Sequence, residues 1–210
     1  MKTNTTIQII IVIIILTLTM HVKAQDTIVK PFDLIDTVEI VTAFAETDKF
    51  YWIGTENGLY QIKKKNNKVA HLTQQNSQLP SNMITAICAK SNGEVYIGTT
   101  SGILRYDRFA FIVVNTDNAQ LGANEVTALH CDSDDQVWIG TTSSSLSMIR
   151  YITMKNYRIF SAPEKGDHII AFEKDSQFKV VLVMSDGSRM KFDNGRLLKA
   201  GDQETAQAAN

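Results

Sequence analysis

The sequence is short of several residue types that would point to a special architecture. Two cysteines in 210 residues are too few for a disulfide-dense scaffold or a cysteine-rich zinc module. Three prolines exclude polyproline or collagen-like structure. Neither sign of charge predominates, with 21 Lys and Arg against 22 Asp and Glu and a formal net charge of -1. That balance excludes a chain organised as a field for nucleic acid or an anionic membrane surface. Beyond the N-terminal segment no apolar stripe at helical spacing has useful length, so helical repeats are disfavoured. No nucleophile elbow, P-loop or dinucleotide fingerprint is present. Apolar residues make up 44% of the chain, near the globular norm, which predicts a folded core.

Residues 1–24 form a segment apart. Lys2 is followed by an apolar stretch of 14 positions, Ile7 to Met20, and then by Val22-Lys23-Ala24 before Gln25. A basic start, a short apolar core and a V-x-A exit predict a secretory signal peptide cleaved after Ala24. The alternative, a retained anchor helix, is weaker because spanning a bilayer takes roughly 20 apolar residues. With the signal removed, no membrane span and a periplasmic or secreted location are expected. Residues 25–199 then hold the repeat domain, and the polar stretch 200–210 reads as a frayed tail.

Internal self-similarity is the dominant signal. Val41-Thr42-Ala43 recurs as Ile84-Thr85-Ala86, Val126-Thr127-Ala128 and Ile169-Ile170-Ala171, with middle residues at 42, 85, 127 and 170. A second anchor follows the first three. Trp52-Ile53-Gly54-Thr55 matches Tyr96-Ile97-Gly98-Thr99 and Trp138-Ile139-Gly140-Thr141, while Val181-Leu182-Val183 holds the fourth place. Within repeat two, Ile84–Ala89 and Val95–Thr99 flank an Asn92-Gly93 hairpin signal, because both turn residues tolerate positive φ. Ser101-Gly102 turns the chain into a third strand, and an apolar, β-branched fourth strand follows within 109–115. Four antiparallel strands per repeat predict an all-β, propeller-like fold of about four blades, closed as a small ring or open as a partial propeller. Trp52, Tyr96 and Trp138 then read as inter-blade packing, with Gly54, Gly98 and Gly140 allowing close approach beside them.

These residues resemble the two-component regulator propeller repeat family. Repeat two carries Leu79-Pro80-Ser81-Asn82, then Ile84-Thr85-Ala86-Ile87, then Tyr96-Ile97-Gly98-Thr99, then Gly102-Ile103-Leu104-Arg105-Tyr106-Asp107. The resemblance extends over about residues 38–195, close in repeats one to three and faint in the fourth. It implies the periplasmic sensing part of hybrid two-component receptors, many of which respond to glycan fragments. Such receptors usually add further blades, an Ig-like segment, a membrane helix and a kinase; only the propeller module is expected here. The third repeat departs from the pattern, with Ser144-Ser145 where the family places glycine. Loss of Trp and Gly-Thr from the fourth repeat is the behaviour of a terminal, capping repeat.

Chemistry is sparse. His71, His130 and His168 fall at unrelated points of the repeat, and Asp132, Asp134 and Asp135 read as hairpin-turn residues, so no metal or cofactor is expected. Enzymes do occur on propellers, a streptogramin lyase with a similar repeat among them, but no His and acid cluster can be assembled here, and no catalytic residue is expected. Cys88 aligns with His130, which sets Cys131 on the opposite sheet face of the next blade. Packed sheets stand about 10 Å apart and a disulfide needs Cα atoms within about 7 Å, so two free thiols are expected rather than a Cys88–Cys131 bond. The function expected is an exported module that binds a glycan, peptide or protein. Its face would carry Glu56, Asn57, Asn82, Thr100, Asn124, Ser144 and His168, turn residues that vary between repeats. The alternative is an assembly protein whose partial propeller is completed by a second copy or a partner chain. No nucleic-acid partner is expected.

Overall fold

The computed structural model describes residues 30–35, 40–150, 153–158, 167–175, 179–193 and 196–199. The expected signal segment 1–24 and tail 200–210 lie outside the described residues. Two units are distinguished, 1–36 and 37–210. In the first, Pro31–Leu34 forms a 3-10 turn, which proline opens readily because its fixed φ is already helical.

The second unit is built from four meanders. Blade 1 comprises β1 (Val41–Glu46), β2 (Phe50–Thr55), β3 (Gly58–Lys63) and β4 (Lys68–Leu72). Blade 2 comprises β5 (Ile84–Ala89), β6 (Val95–Thr99), β7 (Gly102–Tyr106) and β8 (Phe111–Val114). In blade 3 these are β9 (Val126–Cys131), β10 (Val137–Thr141), β11 (Ser145–Arg150) and β12 (Thr153–Arg158). Blade 4 consists of β13 (Ile169–Lys174), β14 (Val180–Met184), β15 (Arg189–Asp193) and β16 (Arg196–Lys199). Each blade is a four-stranded antiparallel sheet in sequence order, and the array is β-propeller-like. The first strands of successive blades, β1, β5, β9 and β13, pack on one another in that order. Among the described residues no comparable contact joins β13 back to β1, so the four blades form an open arc.

The two recurring sequence anchors meet in space. A Cβ placed on Gly54 would stand 2.4 Å from Ile84 Cγ2, one on Gly98 2.6 Å from Val126 Cγ1, and one on Gly140 2.9 Å from Ile169 Cβ. Each glycine of one blade is therefore the gap that receives the first residue of the next. Ile84, Val126 and Ile169 are fully buried there, each worth about 1.5–3 kcal/mol by apolar burial. Around these contacts three apolar clusters fill the three seams. Trp52, Tyr96 and Trp138 are buried within them.

Two local departures have physical causes. Gly58 (φ 136°) and Gly102 (φ 125°) close the tight turns after β2 and β6, where the Thr55 and Thr99 hydroxyls donate to the glycine carbonyls. In blade 3 the partner of Gly140 is Leu146, one residue further on than the Gly98–Ile103 pairing would give. The longer turn lets Ser145 avoid positive φ, so glycine is not needed. The second departure is a correction. Cys88 and Cys131 are joined by a disulfide, with Cα atoms 5.6 Å apart. The expectation of free thiols took the sheet-to-sheet distance of parallel layers, whereas β5 and β9 are the inner strands, where the blades converge.

Candidate functional site

The arc has two rims. The connection rim carries the β2–β3 type turns and the links between blades; the hairpin rim carries the β1–β2 and β3–β4 type turns. All seven expected ligand residues lie on the connection rim, and most are engaged in holding it. Asn82 Oδ1 accepts the Gln74 N–H at 2.8 Å, and Asn124 Oδ1 accepts the Thr116 N–H at 2.8 Å. Asn76 and Asn118 form a second matching pair, each accepting a backbone N–H three residues earlier and donating to a carbonyl five residues earlier. These asparagines recur at one spacing with one set of bonds, so they do not vary between blades as expected of ligand readers. Their signal in the sequence was the 42-residue recurrence of Asn76 as Asn118 and Asn82 as Asn124.

The remaining expected residues, Glu56 excepted, are also tied to neighbours. Thr100 Oγ1 donates to Ser81 Oγ at 2.8 Å, and Ser144 Oγ donates to the Asp167 carbonyl at 2.8 Å. The Asn57 carbonyl lies 3.2 Å from His71 Nε2, whose ring stacks on Tyr60 at 4.2 Å. His168 donates its backbone N–H to Ser185 Oγ. Glu56 is exposed, and its carboxylate has no partner among the described residues.

The hollows lie elsewhere. On the hairpin rim, between blades 1 and 2, two adjoining hollows of about 220 and 350 Å³ share Thr47, Asp48 and Gly93. Phe50 and Tyr106 line the smaller, together with Lys49, Asn92 and Arg108. Beneath it the rings of Phe50, Trp52, Tyr106 and Phe111 pack at centroid distances of 5.1 to 6.4 Å. Lys49 and Arg108 form no salt bridge among the described residues. Lys64, paired with Glu46, and Lys90 line the larger hollow. Lys90 is buried, with Nζ 3.6 Å from Glu94 and 5.5 Å from the centre of the Tyr96 ring. Burial, with the Glu94 carboxylate adding to it, pushes the Tyr96 hydroxyl up to about 12, and that ring packs in the cluster between blades 2 and 3 rather than lining the hollows. This cleft was not anticipated, because its residues come from four different turns and share no motif.

The next seam on the same rim is closed. Ser91 donates from its backbone N–H (2.8 Å) and its hydroxyl (2.6 Å) to the two oxygens of Asp135. Those two bonds hold the Asp135 carboxyl below its ordinary range. The Cys88–Cys131 bond crosses the same seam. Asp132 accepts from the Asp134 and Gln136 backbone and from Trp138 Nε1, so the acidic turn is occupied by its own hairpin. Among the described residues no group of three or more His, Cys, Asp or Glu side chains is placed to hold a metal ion. His130 is half-buried, and burial, with Lys174 nearby, lowers its affinity for a proton.

Comparison with known proteins agrees with this geometry. The two component regulator propeller family matches residues 78–101 and 120–143, so repeats two and three carry that family's repeat. No curated protein matches the chain. Among solved structures, the chain is similar to the extracellular domain of a B. thetaiotaomicron protein assigned as a hybrid two component system. Identity is 22% and the TM-score 0.60, covering 80% of this chain and 23% of that one. It is also similar to virginiamycin B lyase from Staphylococcus aureus, at 13% identity and a TM-score of 0.61, covering 78% and 56%. Against the computationally designed Ika4 protein the values are 14% and 0.54, covering 79% of this chain and 94% of that one. The chain thus spans under a quarter of the sensor domain it resembles. At these identities the likeness shows the fold, a β-propeller.

Proposed function

We propose that this chain is an exported, non-catalytic binding module of the sensor-propeller type, and that its ligand sits in the cleft between blades 1 and 2. The observation that carries the proposal is the contrast at one rim, where this seam is open over an aromatic floor while its neighbour is bonded shut. Aromatic rings with a few polar groups around them suit a glycan, whose apolar ring faces pack on Phe50 and Tyr106 and whose hydroxyls meet Asp48, Lys49 and Asn92. Export is supported by the signal-like segment and by the disulfide, which persists in oxidising compartments. The similar sensor domain is extracellular. Among the described residues no helix is long and apolar enough to cross a membrane.

Titration calorimetry of the purified chain against neutral and acidic oligosaccharides and short peptides tests this. The double variant Lys49→Gln with Arg108→Gln should weaken the best ligand about tenfold or more, the scale of losing one charge-assisted hydrogen bond. A second reading, recognition on the connection rim, is favoured by the exposed Glu56 carboxylate, which has no partner among the described residues. Loss of affinity in Glu56→Gln, with the cleft variant unaffected, would move the site there.

A further inference from the structure

We infer that the outward face of blade 4 is built to reject a further blade from a second copy or a partner chain. The reason lies in what the other three blades share. Each offers its successor a glycine gap, an aromatic beside it and a buried aliphatic opposite it on the third strand. In blade 1 these are Gly54, Trp52 and Leu59; in blade 2, Gly98, Tyr96 and Ile103; in blade 3, Gly140, Trp138 and Leu146. Strand pairing places Val183, Val181 and Arg189 at the same three positions of blade 4. All three features are replaced together.

Each replacement acts against docking. Val183 puts a branched side chain where a Cβ alone would already stand 2.4 to 2.9 Å from the incoming residue in the other blades. Val181 removes the large ring that fills the other seams. Arg189 is 55% exposed and donates to Glu173 from Nε at 3.1 Å and from a terminal nitrogen at 3.3 Å. Lys191 pairs with Asp175 on the same sheet at 2.9 Å. These exposed pairs add little stability to the free chain, but covering them requires desolvation of two charged pairs with no new partners. Blade 1, at the other end of the arc, keeps the ordinary aliphatic entering residue. Val41, which stands where Ile84, Val126 and Ile169 enter their gaps, is 43% exposed, whereas those three are fully buried.

The test is the solution mass of the purified chain by light scattering over a wide concentration range, compared with Val183→Gly/Arg189→Leu. The parent should remain a single chain, and the double variant, with gap and aliphatic restored, should gain mass with concentration. If the double variant misfolds, Arg189→Leu alone, at an exposed strand position, should shift the mass in the same direction to a smaller extent. A parent oligomer that Val183→Asp dissociates would overturn the inference, because blade 4 would then be its interface. Folded variants that stay single chains at every concentration would overturn it, since the replaced residues would not be what keeps a blade away.

Discussion

Two seams of one arc, built from the same repeat, are closed by different means. Between blades 2 and 3 the hairpin rim is joined by a disulfide and by the Ser91–Asp135 bonds. Between blades 1 and 2 the same rim is open, and the seam relies on apolar packing around Trp52, Leu59, Ile84 and Leu104. Register shows how little separates them. Cys88 pairs with Tyr96 as Ala45 pairs with Trp52, and Cys131 pairs with Val137 as Ala89 pairs with Val95. The positions that carry cysteine at one seam carry alanine at the other. At the third seam they carry His130 and Lys174. A repeat fixes where blades meet, while single residues on the inner strands decide whether the meeting is covalent or open.

The comparison can be broken by removing the covalent closure. Cys88→Ala with Cys131→Ala should lower unfolding free energy by about 2–4 kcal/mol, since the bond closes a 43-residue loop of the unfolded chain. Denaturant unfolding measures it, and a variant as stable as the parent would show that the rim bonds and core suffice without the disulfide. A complementary change sharpens the comparison. Ala45→Cys with Ala89→Cys should form a second inter-blade disulfide on oxidation, read as loss of free thiol in intact mass, and stabilise by up to about 2 kcal/mol, because introduced bonds usually deliver less than native ones. Failure to cross-link would mean that β1 and β5 diverge more than β5 and β9.

The smallest effect is expected at Asp135. Its carboxyl titrates below the ordinary value in the folded chain, so its contribution is present above the unfolded value near 3.9 and is lost as pH falls through the lower folded value. Melting temperature should fall with pH in that acidic window, and Asp135→Asn should flatten part of the fall while costing less than about 1 kcal/mol at neutral pH, as the Ser91–Asp135 bonds lie at the solvated surface. An unchanged acid limb would show that the Ser91 contact does not contribute.

Legibility in the sequence followed the range of each interaction. Strands, turns and blade count could be read because alternation and turn chemistry are local. The Trp138 packing role was equally legible, since one residue type at one spacing in a repeat can only face one neighbour. The structural bonds of the connection-rim asparagines could not be read although Asn82 and Asn124 recur, because an i to i−8 hydrogen bond has no signature in composition. The cleft could not be read, as Lys49, Asn92 and Arg108 come together only when two blades stack.

The sequence by itself determined the four-stranded repeat, its period and the loss of glycine at Val183, because each is written in neighbouring residues. Only the tertiary structure decided what those features mean. Convergence of the inner strands brought Cys88 within bonding distance of Cys131, and stacking turned Gly54, Gly98 and Gly140 into sockets for the next blade. Curvature of the arc set the distance between blades at each radius. Distance, rather than residue type, separates a free thiol from a disulfide and an isolated turn from one wall of a cleft.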